Sequence, residues 1–310
     1  MHSLVIGSRG SRLALAQAEW VRARLREHGR EARIEIVKTA GDRQSAAPLE
    51  AIGGEGLFVK EIQAALLEGT IDLAVHSYKD LPTATPPGLL IAAVPARADP
   101  RDYLVARGAL TLRGLKTGAV VGTGSPRRAA QARRLRPDLA FVPLRGNVDT
   151  RLEKWRRGEC DALILAAAGI ARLSLEAEGR PLEASEMLPA VAQGALAIEA
   201  RAGDAATIAA AGALTDPGAA AEVAAERAFL AALGGGCRAP IAALAEREEG
   251  RVRLRGLVLD PSGRRLEAGE RTGDLDRPDE VGRALAADLL ARGAGEILAR
   301  ARADTPIGAA

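Results

Sequence analysis

Cys237 has the setting that best suits covalent chemistry. It lies in the segment 234–240, GGGCRAP, directly after a predicted helix. The glycines leave the thiol accessible, and Arg238 favours the thiolate, which is the form that reacts. Cys160 lies between two acidic residues that disfavour a thiolate, so we expect it to be a structural or surface cysteine. A cysteine in a glycine loop does not by itself establish a function.

Asp80 follows Lys79 directly after the apolar run 71–75, which predicts a buried strand. A carboxylate at a strand end can transfer protons or stabilise a cation in a binding site. The alternative is an ordinary turn residue. His76 continues the apolar run and favours a structural role. No other His or Cys lies at metal-ligand spacing, so we expect no metal site.

Two turns with arginines each follow a predicted strand and open a predicted helix, at residues 7–12 and 122–128. Free backbone N–H groups at a helix N-terminus bind anions. The turns therefore predict two anion sites, with capped helices and solvated arginines as the alternative. Neither turn has the third glycine of a dinucleotide fingerprint or the ending of a P-loop, which disfavours a nucleotide-dependent enzyme.

Further arginines stand at predicted strand ends or helix starts: Arg145, Arg151 and Arg172. Open α/β sheets bind ligands at the carboxyl ends of their strands. A row of arginines there suits a ligand with several carboxylates or phosphates. Aromatic residues make up 2% of the chain, which argues against single-stranded nucleic acid, since its bases are held by stacking.

Strands alternate with helices over residues 4–75 and again over 119–165, which predicts two parallel α/β sheets. Ser11 is the expected N-cap of the first helix, and Pro126 the first residue of another. Residues 40–57 contain several glycines and predict a mobile loop. After residue 216 the pattern changes to a long helix, three antiparallel strands and a further helix, which is typical of an α+β domain.

Composition limits the class of protein. The chain has 310 residues, 47% of them hydrophobic, which is enough for two or three domains. A net charge of +3 does not indicate a polyanionic partner for the whole molecule. Two cysteines do not make a disulfide scaffold, and we find no signal peptide and no apolar run long enough for a bilayer. We therefore expect a soluble cytoplasmic protein without a membrane or nucleic-acid partner.

Eight segments, in order and spacing, resemble the hydroxymethylbilane synthase (porphobilinogen deaminase) family from near the first strand to near the last helix. They are IGSRGS at 6–11, GLFVKE at 56–61, AVHSYKDLP at 74–82, DPRD at 99–102, GTGSPRR at 122–128, LRGNVDTRL at 144–152, LPAVAQG at 188–194 and the Cys237 segment. Each segment alone is weak to moderate, and together they are highly specific. The chain departs from the family at Glu55 and Gly124, where lysine and serine are common.

The resemblance implies an α/β fold with two periplasmic-binding-protein-like lobes and a C-terminal α+β domain with a small antiparallel sheet. The first lobe would take residues 1–97 and 194–215, and the second residues 98–193. Residues 216–310 would form the domain that carries Cys237. A monomer is expected.

The resemblance also implies the reaction. Four porphobilinogen molecules join head to tail, each with loss of ammonia, and give linear 1-hydroxymethylbilane. The chain would grow on a dipyrromethane cofactor held by a thioether at Cys237. Asp80 would stabilise the cation formed when ammonia leaves. The residues implied to bind carboxylates of cofactor or substrate are Arg9, Ser11, Gln17, Lys79, Thr123, Ser125, Arg127, Arg128, Arg145, Arg151 and Arg172.

A non-catalytic binding protein is the main alternative. Two α/β lobes with arginines could capture a polycarboxylate or an oxyanion without any reaction. The Cys237 segment and the absence of a recognisable signal peptide count against it.

Overall fold

The computed structural model describes residues 3–38, 59–108, 111–235 and 240–303, with side chains up to residue 301. The predicted mobile loop over 40–57 and Cys237 lie outside the described residues. The chain forms two compact units. Of the described residues, the first unit takes those up to 98 together with 195–220, and the second takes 99–194 together with 221–303.

The first unit is a five-stranded sheet with helices on both faces, in the strand order β2-β1-β3-β10-β4. Its elements are β1 (Leu4–Ser8), α1 (Arg12–Glu27), β2 (Ala32–Ile36), α2 (Lys60–Leu67), β3 (Leu73–Ser77), β4 (Leu89–Ala93), β10 (Leu196–Arg201) and α6 (Ala205–Gly212). The strands β1, β2 and β3 are parallel, whereas β10 runs antiparallel to both β3 and β4.

Helix α1 shows how the sequence positions the first unit. The Ser11 hydroxyl caps the helix by accepting from the amide of Ala14 at 3.3 Å, as predicted. Ala18, Val21 and Leu25 recur at helical spacing and are fully buried against the sheet. Helix α2 packs on the opposite face through its own apolar residues. Both faces of β3 are therefore covered, which explains its continuous apolar run.

The second unit contains two sheets. The larger has the strand order β7-β6-β8-β5-β9, and the smaller is an antiparallel three-stranded sheet in the order β11-β12-β13. The elements of the larger sheet and its helices are β5 (Asp102–Ala106), β6 (Val120–Gly122), α3 (Pro126–Leu135), β7 (Ala140–Val142), α4 (Val148–Arg156), β8 (Ala162–Ala166), α5 (Ala167–Arg172) and β9 (Gly179–Pro181). The C-terminal elements are α7 (Pro217–Ala232), β11 (Ile241–Glu248), β12 (Arg251–Leu259), β13 (Leu266–Asp274), α8 (Pro278–Ala291) and α9 (Ala294–Ala303).

The predicted class of two α/β sheets followed by an α+β region with a small antiparallel sheet is confirmed. The strands of the two alternating segments are parallel as predicted, namely β1, β2 and β3 in the first sheet and β6, β7 and β8 in the second. The strands β10 and β5, which the alternating pattern did not include, run antiparallel to their neighbours. Buried strands of either direction read as the same apolar runs, so local sequence does not carry this distinction. The division into three domains stays a prediction.

Among the residues that the structure describes, no helix is both long and apolar enough to span a membrane.

Gly263 forms a close contact between the β12–β13 turn and helix α3. Its φ is +74°, and a Cβ atom there would lie 2.5 Å from the carbonyl oxygen of Ala130 and 2.9 Å from the amide nitrogen of Arg134. Arg133 adds a hydrogen bond from its guanidinium to the carbonyl of Pro261 at 2.9 Å. The turn can approach the helix only because this residue has no side chain.

We expect Gly263→Ala to lower the free energy of unfolding by about 1–3 kcal/mol, through backbone strain and overpacking. The matched control is Gly250→Ala, since Gly250 has a φ of +77° but nothing within 4 Å of the added Cβ. Gly250→Ala should lower the free energy of unfolding only through backbone strain, by about 1 kcal/mol. Thermal denaturation followed by circular dichroism measures both. Equal losses for the two variants would contradict the proposed contact.

Candidate functional site

Lys79 and Asp80 lie on a single turn of 3-10 helix, Tyr78–Asp80, at the carboxyl end of β3. The amide of Tyr78 donates to the carbonyl of Ala195 at 3.1 Å, and the amide of Leu81 donates to the carbonyl of Tyr78 at 3.2 Å. Tyr78 is buried, Lys79 is half-buried and Asp80 is exposed. The turn therefore presents a carboxylate to solvent from an anchored backbone.

Several other predicted residues share this edge of the first sheet. The strands β1 and β3 are parallel neighbours, so Arg9 and Ser11, which follow β1, lie at the same edge as Asp80. Gln17 is buried on α1, and its amide donates to the hydroxyl of Ser77 at 2.8 Å. The structure thus brings five predicted residues of the first unit to one edge: Arg9, Ser11, Gln17, Lys79 and Asp80.

A second group lies at the carboxyl edge of the larger sheet in the second unit. The strands β6, β7 and β8 are parallel, so the residues that follow them gather at one edge. Ser125 caps α3 by accepting from the amide of Arg128 at 3.4 Å, and Pro126 is the first helical residue, as predicted. The hydroxyl of Thr123 accepts from the amide of Ser125 at 3.2 Å. This edge therefore presents a capped helix N-terminus.

Arg145, Arg151 and Arg172 follow β7 and β8 at this edge, and all three are half-buried. Arg151 donates from Nε to the carbonyl of Gly146 at 2.8 Å. Arg172 donates to the carbonyl of Gly194 at 2.7 Å and has no acidic partner among the described residues. Burial lowers the pKa of Arg172 to about 10. A guanidinium that is poorly solvated and lacks a carboxylate suits an anionic ligand.

Arg127 and Arg128 point inward, and the carboxylate that they bind belongs to the protein. Arg127 is 4% exposed and Arg128 is 6% exposed. Both donate to Asp102, which is fully buried, at distances of 2.6–3.0 Å. Their remaining bonds go to backbone carbonyls of Leu188 and Ile164 and to the side chain of Gln193. A ligand bound by Arg127 and Arg128, as predicted, would have to share their guanidinium groups with Asp102.

The charges in this cluster depend on one another. Burial alone would raise the pKa of Asp102, but the charges of Arg127 and Arg128, with hydrogen bonds from Arg127 and Gln193, hold the pKa well below its usual range. Burial, followed by the charge of Arg127, lowers the pKa of Arg128, and Asp102 opposes this shift. Asp102 is therefore an ionised group that the two arginines require.

The two cysteines lie in different parts of the second unit's sequence. Cys237 lies between α7 and β11, outside the described residues. Cys160 is buried in an apolar cluster with Leu144 and Trp155. Burial, together with the charges of Asp161 and Glu159, raises the pKa of its thiol. Cys160 is the structural cysteine that was predicted, and its environment disfavours a reactive thiolate.

Asp102, Gln193 and Glu199 are among the buried polar residues that lack a predicted role. A signal exists for two of them. Asp102 begins the strand 102–106, and Glu199 interrupts the apolar strand 196–200. A charge at the start of, or within, a buried strand indicates a paired group. The partners themselves are distant in the chain, so the sequence carries no local signal for them.

We expect Asp102→Asn to lower the free energy of unfolding by about 3–5 kcal/mol, because it leaves two buried guanidiniums without a counter-charge. The depressed pKa means that the contribution of Asp102 is present above the unfolded-state value, about 4, and is lost as the pH falls towards the folded value. The difference between variant and wild type should therefore shrink as the pH is lowered. Denaturant titrations across this pH range measure it.

The control is Asp288→Asn, which breaks the exposed pair with Arg271. An exposed pair contributes little, so a change of about 0.5 kcal/mol or less is expected. A stability loss for Asp102→Asn as small as that of the control would contradict the importance of the buried cluster.

The family model described as "Porphobilinogen deaminase, dipyromethane cofactor binding domain" matches residues 4–209, and the model of the porphobilinogen deaminase C-terminal domain matches residues 220–291. The protein named porphobilinogen deaminase of Thermus thermophilus is 50% identical over 306 residues, which cover 97% of this chain and 100% of the relative. The protein of the same name from Roseiflexus castenholzii is 49% identical, with coverage of 96% and 99%.

The fold is also similar to that of solved structures. A periplasmic substrate-binding protein of an ABC transporter from Coxiella burnetii is 15% identical, with a TM-score of 0.42 and coverage of 70% of this chain and 94% of that one.

Proposed function

Because this chain belongs to the porphobilinogen deaminase family, we propose that it is a transferase that joins porphobilinogen molecules head to tail. Four molecules condense with loss of four molecules of ammonia, and one water molecule supplies the hydroxyl group when the chain is released as linear 1-hydroxymethylbilane. The cofactor is a dipyrromethane, for which the matching family model is named. Family membership over nearly the full length favours this enzyme over a non-catalytic binding protein.

The observation that carries the proposal for the site is the position of Asp80. An exposed carboxylate follows a central buried strand, on a turn whose backbone is anchored at Tyr78. A group fixed in this way does not have to reorganise when charge develops in front of it. We assign Asp80 as the catalytic residue.

The proposed chemistry of Asp80 follows from the charges in the reaction. When the carbon–nitrogen bond of porphobilinogen breaks, ammonia leaves and positive charge develops on the pyrrole and its methylene carbon. The Asp80 carboxylate stabilises that charge and accepts a hydrogen bond from the pyrrole N–H. A carbon–carbon bond then forms to the α-carbon of the acceptor pyrrole, which loses a proton that Asp80 can take up.

The residues at the carboxyl edges fit a cofactor and substrates that carry carboxylates. Each pyrrole ring of these molecules bears two carboxylates. Arg172 is a half-buried cation without an acidic partner in the described structure, and Ser11 and Ser125 mark helix N-termini. We assign carboxylate binding to the predicted residues at the two edges: Arg9, Ser11, Gln17, Lys79, Thr123, Ser125, Arg145, Arg151 and Arg172.

For Arg127 and Arg128 the same role stays a prediction, since both are engaged with Asp102. A dipyrromethane held by a thioether at Cys237 supplies the free pyrrole α-carbon to which the first substrate is joined. In this proposal the protein binds the carboxylates of cofactor and substrate, while Asp80 stabilises the positive charge that develops on the pyrrole.

Other features of the proposal rest on the family alone. One is the domain division, with a first lobe of residues 1–97 and 194–215, a second lobe of residues 98–193 and a C-terminal domain of residues 216–310. The others are a monomeric state, a cytoplasmic location and the absence of a nucleic-acid partner. Analytical ultracentrifugation of the holoenzyme measures the oligomeric state and should show a monomer. A dimer at every protein concentration would contradict this expectation.

We expect Asp80→Asn to reduce kcat by about 10²- to 10³-fold, because the amide has nearly the same shape but no negative charge. The thermal denaturation midpoint should stay near that of the wild type, since Asp80 is exposed. Release of ammonia and formation of hydroxymethylbilane measure turnover. The control Glu35→Gln removes an exposed carboxylate of the same unit and should leave kcat unchanged. Turnover of Asp80→Asn within a factor of a few of the wild type would remove Asp80 from the assigned role.

A further inference from the structure

A buried contact between a histidine and a glutamate lies within the sheet of the first unit. His76 on β3 and Glu199 on β10 have side chains that are 5% and 1% exposed, and Nε2 of the histidine is 3.2 Å from Oε2 of the glutamate. The contact does not have the angles of a hydrogen bond. The other carboxylate oxygen, Oε1, accepts from the side-chain amide of Gln63 on α2 at 2.9 Å.

A carboxylate in an apolar interior needs an opposite charge or a proton. His76 is the one titratable side chain that the described structure places in contact with Glu199. The apolar residues on this face of the sheet include Ala74 of β3 and Ile62, Ala65 and Leu66 of α2. None of the residues predicted to bind cofactor or substrate belongs to this cluster, which we call the His76–Glu199–Gln63 cluster.

The cluster lies directly before the turn that carries Asp80. In the antiparallel pairing of β3 with β10, His76 is opposite Ala197 and Ser77 is opposite Leu196. The next bond in the same direction joins the amide of Tyr78 to the carbonyl of Ala195. The position of Asp80 thus depends on how the last residues of β3 lie against β10.

Side chains alternate along a strand, so consecutive residues of β3 point to opposite faces of the sheet. His76 contacts the α2 side through Glu199 and Gln63, and Ser77 contacts Gln17 of α1 at 2.8 Å. The strand end is held by polar contacts from both faces. The contact with Gln17 involves a predicted ligand-binding residue, whereas the cluster on the other face does not.

We propose that Glu199, His76 and Gln63 are positioning residues for Asp80, through which the sheet holds the end of β3 in the geometry that the reaction requires. The proposal rests on the catalytic role assigned to Asp80. A displacement of about 1 Å at a reacting centre can cost on the order of 10²-fold in rate. Loss of the contact should therefore lower kcat. It should leave KM nearly unchanged, because no residue of the cluster is assigned to carboxylate binding.

The experiment compares kcat and KM for porphobilinogen in Glu199→Gln, His76→Gln and the double variant, each as the holoenzyme. Both substitutions place an amide near the original atoms. Glu199→Gln removes the carboxylate, and His76→Gln removes the imidazole. We expect each single variant to lower kcat by about 10- to 100-fold, with KM within about twofold of the wild type. The double variant should be no slower than the slower single variant, since both remove the same interaction.

Two controls separate positioning from general destabilisation. Glu35→Gln, at an exposed pair on β2, should leave kcat unchanged. Leu89→Ala, in the buried core of the same unit on β4, lowers stability and leaves His76, Glu199 and Gln63 unchanged in sequence. A kcat loss for Glu199→Gln no larger than that of Leu89→Ala, after comparison of their denaturation midpoints, would overturn the proposal. Multiplying losses in the double variant would overturn it as well.

If Glu199→Gln does not fold, Gln63→Ala provides the test, since Gln63 is only half-buried. It should lower kcat by about 3- to 10-fold with unchanged KM, and wild-type kcat would overturn the proposal. Asp80→Asn, measured in parallel, separates failure of the catalytic role of Asp80 from failure of the positioning role of the cluster. Retained turnover in Asp80→Asn refutes the proposed catalytic role. A slow Asp80→Asn beside a fast Glu199→Gln refutes only the positioning role.

Discussion

The second unit depends on one buried carboxylate. Asp102 is fully buried and forms ion pairs with two guanidiniums, those of Arg127 and Arg128, which are themselves almost completely buried. Burial of a charged group away from water costs several kcal/mol of folding free energy unless the group is paired and hydrogen-bonded. The cluster meets this condition, because its donors reach backbone carbonyls of Leu188 and Ile164 as well as Asp102. Strand β5, helix α3 and the segment after residue 187 are thereby held in one arrangement.

Buried acids recur at the other points where the fold requires a fixed geometry. Glu226 has no exposed surface and accepts from the amides of Ala192 at 2.6 Å and Ala245 at 2.8 Å. Ala192 has a φ of +59°, a conformation that a residue with a side chain adopts only when the surroundings hold it. In the first unit, Glu199 takes a similar part beside His76. The groups proposed to act on substrate lie at the exposed sheet edges, and the acids that hold those edges lie inside.

Much of the local structure could be predicted from the sequence. Ser11 and Ser125 are the N-caps and Pro126 is the first helical residue, because capping depends on residues only a few positions apart. The three antiparallel strands after residue 240 follow from alternation and turn signals. The direction of β10 and the inward orientation of Arg127 could not be predicted. Both depend on partners far along the chain, such as Asp102, which is 25 residues from Arg127.

Mass spectrometry of the intact purified protein tests the central claim most directly, since the claim is that the product grows on a dipyrromethane at Cys237. The wild type should exceed the mass of its sequence by two linked pyrrole units, with the added mass on the peptide that contains Cys237. Cys160→Ser should keep the added mass, because Cys160 is buried and structural, and Cys237→Ser should lack both the added mass and turnover. A wild type of unmodified mass that still forms hydroxymethylbilane, or a Cys237→Ser variant that keeps the adduct, would contradict the account.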